Sequence, residues 1–353
     1  MMSGTGSRPL LSLFCSVLLL SAVCFLFVAF TSDDDTLRGR IASVFWERDF
    51  SDDGSNATDQ LWPPHDVFQL HPAVTVSPAL LSDYTKFNQF TINPEPCSQT
   101  SAPFLLLIIF TRPQAFERRK TIRETYGSVR LHCPGKMRIL FIVGQVSDTT
   151  VQALLVKEAA ETKDIIQSSA FTDGYGEAAR KGVALLHWSV QNCPQAQFTA
   201  KADDDCWINL PRYLDILKAQ RDNKKILGLL WPKGAVVIRD SANKWSVPLA
   251  DYPEDRFPPY VSGILYAFHK DILAPVTQAV TKSKYLWHDD VFLTGIAAKE
   301  AGVGHTAVAG YDTRGDSWRK PCSKRSMLAI HYVDDAKMKT LWNDSCHSYK
   351  LAC

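Results

Sequence analysis

Residues 198–205 read FTAKADDD, an apolar segment that ends in three consecutive aspartates. Phe198–Lys201 has the composition of a short buried strand, so Asp203, Asp204 and Asp205 should lie at its carboxyl end. Open α/β sheets bind ligands at that edge. Adjacent carboxylates repel one another unless a cation lies among them, and hard oxygen ligands suit Mg²⁺ or Mn²⁺ with a diphosphate. A solvated acidic turn or a helix N-cap is the alternative interpretation.

The surrounding sequence alternates short apolar blocks with segments of helical character, which predicts an α/β domain with a mostly parallel twisted sheet. The predicted strands are Phe104–Phe110, Met137–Val143, Asp164–Ile166 and Phe198–Lys201, and the predicted helices are Glu117–Tyr126, Val151–Ala160 and Glu177–Gln191. The first of these strands is continuously apolar, as strands buried on both faces are. Residues 101–353 are numerous enough to bury a substantial core as one domain.

The N-terminal part of the chain has a different composition. Leu10–Phe30 carries no charge and as a helix would span about 30 Å, the thickness of a bilayer core. Arg8 precedes this segment and aspartates follow it, so we predict an uncleaved signal-anchor with residues 1–9 in the cytoplasm. A cleaved signal peptide, whose apolar region is usually shorter, is the alternative. Residues 31–100 contain aspartate clusters and many prolines, which predicts a stem leading to a lumenal domain at 101–353.

Charge and cysteine usage narrow the class of protein. The 353 residues carry a formal net charge of +2, which excludes a general nucleic-acid binder, and 46% of them are hydrophobic, which excludes a disordered or fibrous chain. Cys15 and Cys24 lie in the apolar segment. The other cysteines could form disulfides in an oxidising lumen, although their pairing stays open. The triplets at Asn56 and Asn343 match the N-glycosylation pattern and agree with a secretory-pathway protein.

Further positions carry residue types suited to catalysis or metal binding. Asp289 and Asp290 form a second acidic pair, in which one carboxylate could act as a general base, and a helix N-terminus is the alternative explanation. His331 lies among apolar residues, as core histidines do, but imidazole is also a reasonable third ligand for Mn²⁺. Arg119 and Arg123 share one helix face, which either meets a diphosphate or is solvated.

Several of these segments together resemble glycosyltransferase family 31, the β-1,3-galactosyl- and N-acetylglucosaminyltransferases. The order and spacing of the family's motifs agree over Pro103–Trp342. The matching segments are Arg119–Gly127, Phe141–Gly144, Asp203–Asp205, Lys244–Trp245, Phe257–Tyr266 and Asp289–Val291. The departures are Tyr126 in place of tryptophan, Asp289 in place of glutamate, and Gly176-Glu177-Ala178 in place of Asn-Leu-Thr after Tyr175.

The resemblance implies a GT-A type fold that binds a UDP-sugar and Mn²⁺. It assigns Asp205 and His331 to the metal and makes Asp290 the catalytic base. The residues that it implies for donor binding are Arg119, Asp203 and Asp204, and those that it implies for acceptor binding are Trp245, Tyr260 and Gly263. In the implied mechanism the base removes a proton from the acceptor 3-hydroxyl, and a single displacement inverts the anomeric centre.

By the same resemblance we expect a Golgi β-1,3-galactosyltransferase, a single-pass type II membrane protein anchored by residues 10–30. Its partners would be a UDP-sugar, with UDP-galactose ranked first, and a glycan acceptor on a glycoprotein or glycolipid, and not a nucleic acid. Transfer of N-acetylglucosamine or N-acetylgalactosamine is the alternative within the family. The alternative from another class is a membrane-anchored binding or chaperone protein on an inactive transferase scaffold.

Overall fold

The computed structural model describes residues 84–343, apart from residues 99, 101, 133–135 and 317–325. The predicted cytoplasmic tail, the predicted signal-anchor and most of the predicted stem lie outside the described residues. No helix in the described part of the chain is long and apolar enough to cross a membrane.

The described residues form one eight-stranded sheet with helices on both faces, and a separate three-stranded sheet. The strands are β1 Phe90–Ile92, β2 Leu105–Phe110, β3 Met137–Gln145, β4 Ile165–Thr172, β5 Phe198–Asp203, β6 Trp207–Ile208, β7 Ile226–Trp231, β8 Tyr260–His269, β9 His305–Ala307, β10 Tyr311–Asp312 and β11 Ala329–Ile330. The helices are α1 Phe116–Glu124, α2 Val129–His132, α3 Thr149–Thr162, α4 Ala178–Asn192, α5 Leu210–Ala219, α6 Lys270–Val280, α7 Ala298–Glu300 and α8 Asp335–Asn343. A π-helical segment, Val291–Ala297, leads directly into α7.

The large sheet is mixed, with the strand order β1-β4-β3-β2-β5-β8-β7-β9. The four neighbours β4, β3, β2 and β5 run parallel, as the alternation of strands and helices predicts. Antiparallel pairings join β1 to β4, β8 to β5, and β7 to β8. A further parallel pairing joins β7 to β9 at the edge of the sheet. The α/β class is therefore confirmed, and the sheet is mixed, with a parallel central block and antiparallel pairings on either side of it.

Hydrophobic residues cover both faces of the large sheet. All six residues of β2 are buried, and successive side chains of a strand point to opposite faces. Leu106 belongs to the apolar cluster that contains Trp188 of α4, whereas Leu107 belongs to the cluster that contains Leu214 of α5. The strand thus lies between two helical layers, which explains why its sequence is continuously apolar and does not alternate.

The strand predicted at Asp164–Ile166 extends beyond its apolar residues. β4 continues through Gln167 and Ser168, both buried, and ends only at Thr172. The Gln167 amide donates to the Gly144 carbonyl at 3.1 Å and exchanges hydrogen bonds with the side chain of a glutamine on α3. The run of apolar residues therefore predicts too short a strand. The strand continues through buried polar side chains, which are stable there because they have hydrogen-bond partners.

The small sheet β10-β11-β6 connects a late part of the chain to the aspartate triplet. β6 begins two residues after Asp205 and pairs antiparallel with β11, with Ile330 opposite Trp207. The Val333 amide donates to the Asp205 carbonyl at 2.8 Å. This pairing brings His331, the residue after β11, beside the triplet although the two are far apart in the sequence.

The predicted stem is too long at its C-terminal end. Phe87 is buried in the core, and β1 pairs with β4 at the edge of the large sheet. Cys97 forms a disulfide with Cys193, the C-cap residue directly after α4. Residues 84–98 therefore belong to the folded domain, which begins before residue 101. Their sequence has no sustained periodicity because they pack onto a core that other segments build.

The Cys97–Cys193 disulfide settles one of the open cysteine pairings. Cys206 is a buried free thiol. The remaining cysteines after the N-terminal apolar segment lie outside the described residues.

The Cys97→Ala/Cys193→Ala double variant is expected to lose about 2–4 kcal/mol in free energy of unfolding, because a cross-link over a long loop restricts the unfolded chain. Denaturant unfolding of both proteins under oxidising conditions measures this difference. In a reductant the difference between the two proteins should disappear, because neither then carries this cross-link. Equal stability of the two proteins before reduction would contradict the expected contribution of this disulfide.

Candidate active site

The aspartate triplet lies at the carboxyl end of the parallel strands, as the sequence predicts. Asp203 is the last residue of β5 and pairs with Phe110, the last residue of β2. Asp204 and Asp205 form the turn that leads towards β6. Ligands bind α/β sheets at this edge. The chain therefore concentrates negative charge at the usual ligand-binding edge of such a sheet.

Four side chains at this edge are close enough to share one metal ion. The ligand atoms of Asp203, Asp205, Cys206 and His331 all lie within 4.8 Å of one another. His331 Nε2 is 3.3 Å from Asp205 Oδ1. Burial raises the pKa of the Cys206 thiol well above its usual value, and the thiol donates to Asp205 Oδ1 at 3.7 Å. Because a neutral thiol is a poor ligand, two carboxylates and an imidazole remain, a set that fits Mn²⁺.

The charges in this group stabilise one another. Burial alone would raise the pKa of Asp205, but the charge and hydrogen bond of His331 hold it below the usual value. Burial likewise disfavours a charged imidazole, yet the Asp205 carboxylate raises the pKa of His331. Burial raises the pKa of Asp203 to about 6, against the opposing charge of Lys201. A divalent cation bound here would compete with protons for these ligands.

Two backbone amides hold Asp290 at the beginning of the π-helical segment. Its Oδ2 accepts from the Gly263 amide at 3.0 Å, and its Oδ1 accepts from the Val291 amide at 2.8 Å. Burial and the neighbouring negative charge of Asp289 raise the pKa of Asp290 to about 7. A carboxylate that titrates near neutral pH is well matched to general base catalysis. The same side chain also caps the segment, so the helix N-terminal interpretation is compatible with the catalytic one.

A lysine that the sequence pattern does not single out connects the two acidic groups. Lys201 Nζ lies 2.7 Å from Asp203 Oδ1 and 3.0 Å from Asp289 Oδ2. It also donates to the Gly263 carbonyl at 2.7 Å. One cation is therefore shared between a candidate metal-ligand carboxylate and the pair that contains Asp290. The signal in the sequence is a lysine inside an apolar strand, because a buried ammonium requires polar partners.

The sequence matches a known family over the region that contains most of these groups. The family profile described as Galactosyltransferase matches residues 117–309, which include α1, the aspartate triplet and the Asp289–Asp290 pair. This chain belongs to glycosyltransferase family 31. The resemblance inferred from the sequence motifs is thereby confirmed, and His331 lies shortly after the matched region.

This family 31 member is similar to known β-1,3-transferases over most of its length. It is 25% identical over 269 residues to human beta-1,3-galactosyltransferase 1, covering 75% of this chain and 81% of the relative. It is 28% identical over 285 residues to human N-acetyllactosaminide beta-1,3-N-acetylglucosaminyltransferase 4, covering 79% of this chain and 75% of the relative. It is also 28% identical over 273 residues to human acetylgalactosaminyl-O-glycosyl-glycoprotein beta-1,3-N-acetylglucosaminyltransferase, covering 74% of this chain and 70% of the relative. The names of these relatives specify different transferred sugars, so the identities alone do not select a donor.

Two stacked aromatic pairs accompany the acidic groups of this family 31 member. Trp245 stacks on Trp287 with ring centroids 6.0 Å apart and an interplanar angle of 7°. Tyr175, which is 48% exposed, contacts both rings. Tyr260 stacks on Trp231 at 6.2 Å with an interplanar angle of 6°. Such rings present flat apolar faces with polar edges. Contact of Trp245 and Tyr260 with an acceptor stays a prediction. Trp287, Tyr175 and Trp231, which pack against these two rings, are further candidates for the same contact.

Gly263 lies between the charged groups of the transferase. A Cβ at this position would be 3.3 Å from Lys201 Nζ and 3.5 Å from Asp290 Oδ2. The absence of a side chain lets the backbone approach both groups closely enough to bind them. Gly263 therefore holds the Asp290 carboxylate directly through its amide, while its implied contact with an acceptor stays a prediction.

Arg119 is not available to a donor in this structure. Its side chain is 0% exposed, and its guanidinium binds Glu158 and the Arg112 carbonyl. A side chain without exposed area cannot touch a bound nucleotide, so the expected direct role of Arg119 in donor binding is wrong. It instead ties α1 to α3 and to the loop after β2. The neighbouring Arg118 is the cation of α1 whose charge helps to lower the pKa of Asp205.

The structure describes some of the remaining predicted site residues. Asp204 lies with the triplet at the sheet edge, where burial raises its pKa. Contact of Asp203 or Asp204 with a donor stays a prediction, and Asp203 is in addition a candidate metal ligand. Asn343 is exposed at the end of α8, where a glycan could be attached, whereas Asn56 lies outside the described residues. Glycosylation at both positions stays a prediction.

Proposed function

We propose that this chain is an inverting β-1,3-glycosyltransferase with a GT-A type fold that uses a UDP-sugar and Mn²⁺. The observation that carries the proposal is the arrangement of two acidic groups around one buried lysine. Asp203, Asp205 and His331 form one group, and Asp290, with a pKa of about 7, belongs to the other. Membership in glycosyltransferase family 31 and similarity to relatives named as β-1,3-transferases support the same reaction.

Asp203, Asp205 and His331 would hold the metal in this proposal. Two carboxylates and one imidazole suit Mn²⁺, and the Cys206 thiol supports them as a hydrogen-bond donor to Asp205. When bound, the ion supplies positive charge that neutralises the diphosphate of the donor and of the departing UDP.

Asp290 carries out the proton transfer in the proposed reaction. Its carboxylate takes the proton of the acceptor 3-hydroxyl while that oxygen forms a bond to C1 of the donor sugar. The bond between C1 and the phosphate oxygen breaks, and its electron pair leaves with UDP. Attack from the opposite face inverts the anomeric centre and gives the β linkage. The Gly263 and Val291 amides keep the carboxylate in place during this step.

Galactose is our first choice for the transferred sugar. The matching family profile is described as Galactosyltransferase, and one group of relatives carries the name beta-1,3-galactosyltransferase 1. N-acetylglucosamine is the rival, because it is named for two relatives that are 28% identical to this chain, and N-acetylgalactosamine is a further alternative. The metal and base chemistry is the same for each of these donors, so it does not distinguish them.

We further propose a Golgi location, with residues 10–30 as the signal-anchor and the catalytic domain in the lumen. The acceptor would be a glycan on a glycoprotein or glycolipid. The Cys97–Cys193 disulfide supports an oxidising compartment, because disulfides form and persist there. The uncharged run at Leu10–Phe30 and the exposed Asn343 agree with the same topology.

A panel of donors tests the proposed function. The full-length protein is incubated with UDP-galactose, UDP-N-acetylglucosamine or UDP-N-acetylgalactosamine and an array of glycans, with Mn²⁺ or with EDTA. We expect transfer from UDP-galactose that requires Mn²⁺, and linkage analysis should show a β-1,3 product. Transfer only from another UDP-sugar would exclude galactose. No transfer from any UDP-sugar would overturn the proposal in favour of the binding-protein alternative.

The rate of transfer is expected to rise with pH through about pH 7. Only ionised Asp290 can accept a proton, and burial together with the charge of Asp289 raises its pKa to about 7. Well below that pH, kcat/KM should fall about tenfold for each pH unit. The Asp289→Asn variant should move this acid limb to lower pH, since one charge that raises the pKa of Asp290 is gone. A pH–rate profile in which the acid limb of the variant stays in place would contradict this origin of the shift.

A further inference from the structure

Lys201 carries a charge in the protein interior and has no part in the proposed proton or glycosyl transfer. Its side chain is 1% exposed, and its ammonium lies 4.5 Å from the centroid of the Phe110 ring. Its three partners are Asp203 Oδ1 at 2.7 Å, Asp289 Oδ2 at 3.0 Å and the Gly263 carbonyl at 2.7 Å. An ammonium has three N–H donors. All three are therefore engaged by the protein, and none is left for a substrate.

The partners of Lys201 belong to the two halves of the site. Asp203 ends β5 and is one of the metal-binding carboxylates, whereas Asp289 immediately precedes the base. β5 and β8 are antiparallel neighbours, so the lysine side chain reaches from the strand of the triplet to the strand that contains Gly263. Gly263 binds Lys201 through its carbonyl and Asp290 through its amide. A displacement of the ammonium would therefore move both acidic groups.

We propose that Lys201 is a positioning residue that sets the separation between the metal-binding carboxylates and the catalytic base. This inference rests on the proposed function, because it gives that function's two acidic groups a common support. Lys201 orients Asp203 directly and Asp290 through Gly263. It does not touch the substrates, so its removal should affect the rate of the chemical step more than the binding of donor or acceptor.

A comparison of Lys201→Met with Lys181→Met tests this role. Lys181 is a matched control, since it is 5% exposed and its Nζ binds Asp173 Oδ2 at 2.9 Å and the Thr111 carbonyl at 2.7 Å. We expect Lys201→Met to lower kcat about a hundredfold with both KM values within about threefold, because a misplacement of about 1 Å has that effect. Lys181→Met should lose thermal stability and a much smaller part of its kcat, although its charge also reaches Asp204 in the triplet. Equal kcat values in the two variants would overturn the proposal.

Gly263→Ala is a second variant, in which every charge is kept. The new methyl group would lie 3.3 Å from Lys201 Nζ and 3.5 Å from Asp290 Oδ2, and it should push the two apart. Alanine suits the extended backbone of β8, so the fold should be retained. We expect kcat to fall about tenfold, since the methyl group should displace the two side chains less than the loss of the ammonium does. A wild-type kcat in Gly263→Ala would count against the proposal.

A double-mutant cycle tests the electrostatic link without any turnover. Asp289→Asn should lower the melting temperature of the wild-type protein and of Lys181→Met, because Lys201 loses a partner. In Lys201→Met the same change should raise the melting temperature, since Asp203 and Asp289 then face each other without a cation. A lower melting temperature in all three backgrounds would overturn the proposal. If the wild-type protein transfers no sugar, the proposed function fails, and this cycle still decides whether Lys201 links the two groups.

Discussion

The Asp290→Asn variant is expected to lose about a thousandfold in kcat, because removal of a general base has an effect of this order. Asparagine has nearly the same shape and can still accept a hydrogen bond from a backbone amide, but it cannot take the proton of an acceptor hydroxyl. The partners of Asp290 are the Gly263 and Val291 amides, and the metal ligands are other residues. Mn²⁺-dependent binding of UDP should therefore survive in this variant.

Steady-state kinetics and a UDP titration in Mn²⁺ measure the two quantities separately. Asp215→Asn is a suitable control, because the Asp215 side chain is 74% exposed on α5 and forms an ion pair with Lys218 within the same helix. It should match the wild-type protein in both measurements. An unchanged kcat in Asp290→Asn would remove this residue from the role of base. Loss of UDP binding together with kcat would show that the substitution disturbs the donor site.

The Asp205→Ala variant is expected to lose at least about a hundredfold in Mn²⁺-dependent affinity for UDP. Removing a residue that only supports a metal ligand already weakens metal binding by up to about this factor. The substitution leaves Asp203 and His331 as ligands. It also removes the carboxylate oxygen that lies 3.3 Å from His331 Nε2, so the imidazole loses its nearest partner among the candidate ligands. Transfer activity should disappear with the metal, in contrast to the separation of binding and catalysis expected for Asp290→Asn.

Calorimetric titration of UDP in Mn²⁺ and in EDTA measures this effect. Asp215→Ala provides the matched exposed control and should retain the difference between the two conditions. A metal-dependent UDP affinity in Asp205→Ala equal to that of the wild-type protein would refute the assignment of Asp205 as a ligand. Normal Mn²⁺ binding with weakened UDP binding would instead assign it to the donor.

The parallel half of the fold could be predicted because its elements follow one another in the chain. β2, β3 and β5 are short apolar runs separated by helices, and each is paired with a neighbour in this block. β1, β7 and β8 could not be predicted in the same way, since their apolar residues are interrupted and their burial depends on strands already in place. For this reason the sequence predicts a stem over residues 84–98, although Phe87 is in the core and Cys97 is cross-linked to Cys193.

The candidate site was only partly predictable for a related reason. The triplet follows β5 directly, so its position at the sheet edge is a local property of the sequence. The nearness of His331 to Asp205 depends on the pairing of β11 with β6, which no local pattern reports. Trp287 and Tyr175 likewise join Trp245 only through the folding of three separate loops.

Two cations illustrate the division between sequence and tertiary structure. From the sequence, Arg119 on a helix was the better candidate for an anionic ligand, and Lys201 was one residue of a buried strand. In the folded protein Arg119 has no exposed area and binds Glu158, while Lys201 joins Asp203 to Asp289. Residue type and local spacing were sufficient for the α/β class and the acidic edge, and the resemblance of several motifs to family 31 indicated the family. The roles of individual charges followed from long-range packing, because burial and the nearest opposite charge set the energy of an ionised group.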